Sequence, residues 1–177
     1  MHPLAQGQRI QAIRNAIEFD QVALSTRVAA LIHLLWATPL TRIVRLTVDC
    51  LELRPEGVFI RLGETPSEIP QALAPMFWRR LEDREGLTTN TGTDWLFPGN
   101  RAGRHISIPT LQQRLPTLGI DPQRTRNTTL KQLTALLDVA TLSDLLGYSP
   151  KTLAQHAERS GSHMAHYVDA KHRMHPA

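Results

Sequence analysis

The residues of this chain best suited to chemistry are closely spaced arginines. Arg42 and Arg45 stand three apart in TRIVR, Arg101 and Arg104 three apart in NRAGR, and Arg124 and Arg126 flank one threonine in QRTRN. A guanidinium presents a planar fork that meets two oxygens at once, so such residues suit a grip on phosphate. On a nucleic acid they would anchor the backbone without reading bases. Their plainer reading is exposed, solubilising charge, and Arg42 and Arg45 could instead pair with Asp49 and Glu52 as structural ions. Lysine occurs only at Lys131, Lys151 and Lys171, and the balance is +4 with a pI near 9.8. That balance suits a polyanionic partner.

The chain holds two tyrosines, Tyr148 and Tyr167. A phenol with a pKa of about 10 attacks well only beside cations. Tyr167 has a second reading, an aromatic that packs the last helix onto the body. Four late histidines, His163, His166, His172 and His175, invite a metal, and His163 and His166 share a helical face. No cysteine or carboxylate completes the set at a convincing spacing, so a solvated tail is expected, with no metal and no cofactor. In FWRR, Phe77 and Trp78 read as packing.

These side chains must be positioned by a mostly helical body. QRIQAIRNAIEF places Ile10, Ile13, Ala16 and Ile17 on one stripe, the spacing of an amphipathic helix. Ser25 and Thr26 are expected to cap a second helix through Trp36, and a third, short one carries TRIVRL. Three β-prone runs separated by RPEG and GETP predict a small antiparallel sheet from about Thr47 to Pro70, with Cys50 in a strand as a buried thiol. QALAPMFWRRLEDREG resumes a helix that ends near Gly86, and WLFPGNRAGRHIS reads as a compact loop. Helices follow at IPTLQQRLPTLG, NTTLKQLTALLD, ATLSDLLG and SPKTLAQHAER, with Arg124 and Arg126 just before the second of them. The fold class expected is mainly α with a small three-stranded antiparallel sheet, α+β, in one domain over 1–177 with flexible tails at 1–8 and about 172–177.

Composition narrows the function classes. The chain of 177 residues is long enough for one real core, and its apolar share is ordinary for a globular protein. Its longest apolar run, VAALIHLLWA, is too short to span a bilayer, so no membrane partner is expected. The N-terminus lacks the pattern of a secretory signal, and a lone cysteine forms no internal disulfide; the cytoplasm is the expected compartment.

LSDLLGYSPKTLAQHAE fits a helix-turn-helix pattern, with Leu142, Leu146 and Leu153 buried and Gly147 at the turn. Ser149, Lys151, Thr152, Gln155 and His156 would then face a groove. A helical hairpin in a core reads the same way, because Leu-Gly-x-Ser is common where one helix ends and another begins.

The order of elements resembles the catalytic domain of the tyrosine recombinases, the phage-integrase family. LIHLLWATPLTRIVRLTVDCLEL is similar to that domain's early helix, arginine turn and first strand; WLFPGNRAGRHIS to its Leu-Phe-Pro loop; LSDLLGYSP to its Leu-Gly-His segment. The likeness spans about Arg9 to Tyr167. It implies a tyrosine that attacks a DNA phosphate, two arginines that clamp the phosphate oxygens, and a lysine and histidine that assist proton transfer. Carried over, the first arginine falls on Pro39, and Arg42 or Arg45 could replace it only by deleting about a turn of helix. GETPSE offers no lysine, and the His-x-x-Arg pair falls on Thr128 and Lys131. Tyr148 takes the position of a His or Trp, and the place of the nucleophile reads His156-Ala157. Tyr167 remains the one candidate nucleophile.

The resemblance therefore implies a binder of double-stranded DNA with a degenerate active site, accessory to the recombination or integration of a mobile element. An active recombinase is the expected company, or self-association through HMAHYVDAKHRM, since members of that family exchange a C-terminal helix. The alternatives are an active recombinase that uses Tyr167, and a helical protein-interaction module without DNA. Glu64, Glu68, Glu82, Asp83 and Glu85 favour the last if they share the basic face.

Overall fold

The computed structural model of the protein describes residues 6–85 and 92–159. Tyr167, the four late histidines and the HMAHYVDAKHRM segment lie outside the described residues. The fold is mostly helical with one small sheet, as the sequence predicts.

Helix α1 (Gln6–Glu18) leads into α2 (Leu24–Trp36), which is buried from Thr26 to Leu34 and again at Trp36. An element apolar all round belongs in the centre of a core. α2 packs against α1, against α4 (Ala74–Glu85) and against α6 (Pro122–Leu136). Residues 6–8 form the first turn of α1.

The stripe expected on α1 is rotated. Ala12 and Ala16 face the core, whereas Ile10 is 51% and Ile17 40% exposed. Polar ties decide this rotation: Arg9 donates to Leu34 O (2.9 Å) and to Gln132 Oε1 (2.8 Å), and Asn15 Nδ2 donates to Leu118 O (3.1 Å). Small alanines four apart then let α2 approach closely. The start of α2 also differs from expectation. Ala23 stands at its N-cap with no side-chain cap. The junction is held by Arg27, which donates to Ala16 O (2.8 Å) and to Ile17 O and pairs with Asp20 at 3.2 Å. It thereby satisfies carbonyls that the end of α1 leaves open.

After α3 (Leu40–Ile43) a 3₁₀ turn (Val48–Cys50) feeds the antiparallel sheet β1 (Leu51–Arg54), β2 (Gly57–Ile60) and β3 (Ser67–Glu68), in that order. Leu51 faces Ile60, and Phe59 faces Glu68. Cys50 is buried as expected, in the 3₁₀ turn and not in a strand. Trp36 and Phe77 meet edge to face at 6.2 Å and join α2 to α4. Trp78 departs from the packing role, being 37% exposed. Helix α5 (Ile108–Arg114) is capped by Ser107, α6 by Asp121, and α7 (Val139–Leu146) by Asp138. A last described helix, α8, covers 150–159. Among the described residues, no helix is long and apolar enough to cross a membrane.

Candidate functional site

The sequence-predicted residues fall into separate groups. In the first, α3 meets the α7–α8 turn. Arg42 donates to Leu146 O at 2.7 Å and, through its other terminal nitrogen, to Leu62 O. Both ends of its fork are thus held by backbone carbonyls and not by a carboxylate. Neither does it pair with Asp49 or Glu52. Glu52 instead takes Arg54 (2.5 Å) and Arg61 (2.6 Å), which hold its carboxyl below the usual range, and Asp49 accepts from Thr47. Tyr148 lines the same recess as Arg42, and its hydroxyl donates to Ala37 O at 2.5 Å. Burial raises the pKa of this phenol, while Arg126 and Arg42 oppose the rise.

Arg126 organises a second group. α6 starts earlier than expected, at Pro122, because Asp121 accepts from the Arg124 amide (3.1 Å) and caps it. Arg124 and Arg126 therefore belong to its first turns. Arg126 has a buried Nε without a hydrogen-bond partner, and it lines a cleft of about 720 Å³ with His33, Thr41 and Asp121. His33 is buried between two carbonyls, Nδ1 against Thr38 O and Nε2 against Pro122 O, each at 2.8 Å. Burial lowers its pKa, the two carbonyls raise it, and Arg126 lowers it further. His156 on α8 is also lowered, by burial first and then by Arg126 and Arg159. His33 and His156 were not expected beside Arg126. Lys131 lies farther along α6, half-buried, and lines none of these recesses.

A third group forms around the loop after Trp95. Arg101 and Arg104 line a cleft of about 700 Å³ together with Arg80 of α4 and Arg114 of α5. Sequence reasoning missed both additions. Arg80 follows the buried Phe77 by three residues, the spacing of one helix face, and that was the available signal.

The helix pair α7–α8 has the packing expected of it. Leu142, Leu146 and Leu153 are buried, and Gly147 turns the chain at φ 70°. Ser149 caps α8 by accepting from the Thr152 amide (3.2 Å), and its Oγ also bonds the Thr152 hydroxyl (2.8 Å). Ser149, Lys151 and Gln155 are exposed, whereas Thr152 and His156 are half-buried. Arg45 and Arg124 are exposed away from the arginine cleft.

This architecture recurs in solved structures. The chain matches the XerA recombinase with a TM-score of 0.66 at 16% identity, covering 95% of this chain and 64% of that one. It matches the XerH site-specific recombinase bound to its difH substrate, a pre-cleavage complex, with a TM-score of 0.64 at 15% identity, covering 86% of this chain and 49% of that one. The fold is that of a tyrosine recombinase catalytic domain. The chain spans less than two thirds of the length of either structure. No protein-family model matches the sequence, and no curated protein matches it.

The α3 helix, the β2–β3 connection and the α7–α8 turn meet at one seam. Gly63 abuts Asp144 O so closely that a β-carbon there would overlap it, and the Thr65 amide donates to the same carbonyl at 3.0 Å. Sheet and helices are locked through backbone.

Proposed function

We propose that the chain is a single domain that binds double-stranded DNA in the cytoplasm without cutting it, accessory to recombination or integration. Arg45, Arg101, Arg104, Arg124 and Lys151, all exposed, supply the phosphate contacts. One observation carries the reading. The recombinase fold is kept, while the positions that the resemblance assigns to cleavage hold Pro39, a buried Thr128 and a Tyr148 whose hydroxyl bonds backbone. Proline has no charge to offer a phosphate, and a buried threonine cannot shuttle protons to solvent-borne DNA. Lys131 keeps a charge without the bidentate fork. The partner is an active recombinase or a second copy joined through the HMAHYVDAKHRM segment.

Fluorescence anisotropy of a labelled duplex against salt tests the binding half. Micromolar affinity is expected, with a log–log slope of about −0.9 for each phosphate contact. No binding at low salt would leave a protein-interaction scaffold. Trapping on nicked duplex tests the other half: no covalent adduct is expected. An adduct that disappears in Tyr167→Phe would replace this reading with an active recombinase.

A further inference from the structure

We propose that the cleft between α4, the loop after Trp95 and α5 is a binding site for a multiply charged phosphate. The observation is the convergence of Arg80, Arg101, Arg104 and Arg114 on one concavity, with no acidic residue among the described residues that line it. These arginines come from three separate elements, so a solvated helix face does not explain their meeting.

The cleft is built. Gly99 N donates to Arg104 O at 2.7 Å and Arg104 N to Arg101 O at 3.1 Å, which closes a tight loop and presents both side chains on one turn. Gly99 must be glycine, since a β-carbon would come within 2.6 Å of His105 O. Trp95 stiffens the loop from behind, donating Nε1 to Gly103 O at 3.2 Å and meeting His105 edge to face at 5.1 Å. Arg114 comes from α5, seven residues after Ser107 and four after Thr110, so the three lie on one face toward the cleft. Arg80 is buried, with Nε fixed on Leu96 O at 3.1 Å. Its guanidinium is thereby held in place in the cleft wall.

Four guanidiniums on one concavity offer forked donors to several oxygens at once, which suits an anion with two or more charges. The volume of about 700 Å³ lies in the range of small-ligand sites, roughly 300–1,000 Å³, and accepts a phosphate or diphosphate with its waters. Two sources supply this chemistry: a backbone or terminal phosphate of a nucleic acid, or a free phosphorylated small molecule. The cleft shares Arg101 and Arg104 with the DNA-binding reading, and the test below separates the two.

The test is isothermal titration of the full chain with inorganic pyrophosphate at low salt. Binding of one pyrophosphate per chain is expected, weakened at least about tenfold in the double variant Arg104→Gln/Arg114→Gln and unchanged in Arg14→Gln, an exposed arginine of α1. Both substituted residues are exposed, and circular dichroism checks that the variants fold. Short duplex DNA is then added to the complex. Displacement of pyrophosphate assigns the site to nucleic-acid phosphate, and simultaneous binding assigns it to a free phosphorylated compound. Pyrophosphate binding without any duplex binding keeps the site and removes the DNA reading. No pyrophosphate binding, or binding untouched by the double variant, overturns the proposal.

Discussion

The guanidinium of Arg42 occupies the space that a side chain at Gly147 would need, on a turn 105 residues later in the chain that is left-handed at φ 70°. A β-carbon at Gly147 would come within 2.7 Å of Arg42 Nη1 and 2.5 Å of Leu62 O. Space, backbone sign and the two carbonyl bonds of Arg42 thus depend on one missing side chain. Gly147→Ala should destabilise the protein by about 2–4 kcal/mol, from left-handed strain plus displacement of the guanidinium. Urea denaturation measures it, and a loss below about 0.5 kcal/mol would show that the seam is plastic.

Tyr148→Phe separates anchor from chemistry. Removing the hydroxyl deletes the bond to Ala37 O and should cost about 0.5–1.5 kcal/mol. Duplex affinity should stay within about twofold, a free-energy change well under 1 kcal/mol. A large drop in affinity with little loss of stability would instead assign the phenol to DNA.

Acid should weaken the fold through His33. Its folded pKa lies below the ordinary value, chiefly from burial, so the unfolded chain takes up the proton more readily. The stability tied to neutral His33 is present above the unfolded pKa of about 6.5 and is lost as pH falls from there through the folded value. His156 shifts in the same direction. Urea midpoints at pH 7.5 and pH 5.5 (about one unit to either side of that value) should differ, with a smaller difference in His33→Gln. Identical midpoints in the native sequence would rule the linkage out.

Cys50 should be inert in the folded chain. Burial pushes its thiol up to about 12, with Asp49 adding to the rise, and only a thiolate attacks a disulfide reagent. Aromatic disulfide reagents should label it in urea and leave the native protein untouched over the same interval. Full native labelling at the rate of a free thiol contradicts the buried placement.

Local chemistry made much of the fold legible. The β-prone runs broken by RPEG and GETP became the sheet, and the α7–α8 pair follows from Leu142, Leu146, Leu153 and Gly147. Periodicity and turn residues act over a few positions, and a sequence displays those directly. Misplacements arose where that range ends. Ile10 and Ile17 have the right period for a core stripe, yet Arg9 and Asn15 rotate α1 by bonds to Leu34, Gln132 and Leu118.

For the candidate site the division is sharper. The sequence by itself determined which cations exist and that Gly147 turns the chain. Only the tertiary structure decided what each cation meets. Arg42 and Arg45 are three residues apart, and one is engaged by carbonyls from Leu62 and Leu146 while the other is exposed. Arg101 and Arg104 gain Arg80 and Arg114 from other helices, and Arg126 finds His33. An arginine's role depends on which oxygens surround its fork, and those come from segments distant in the chain, brought together by core packing.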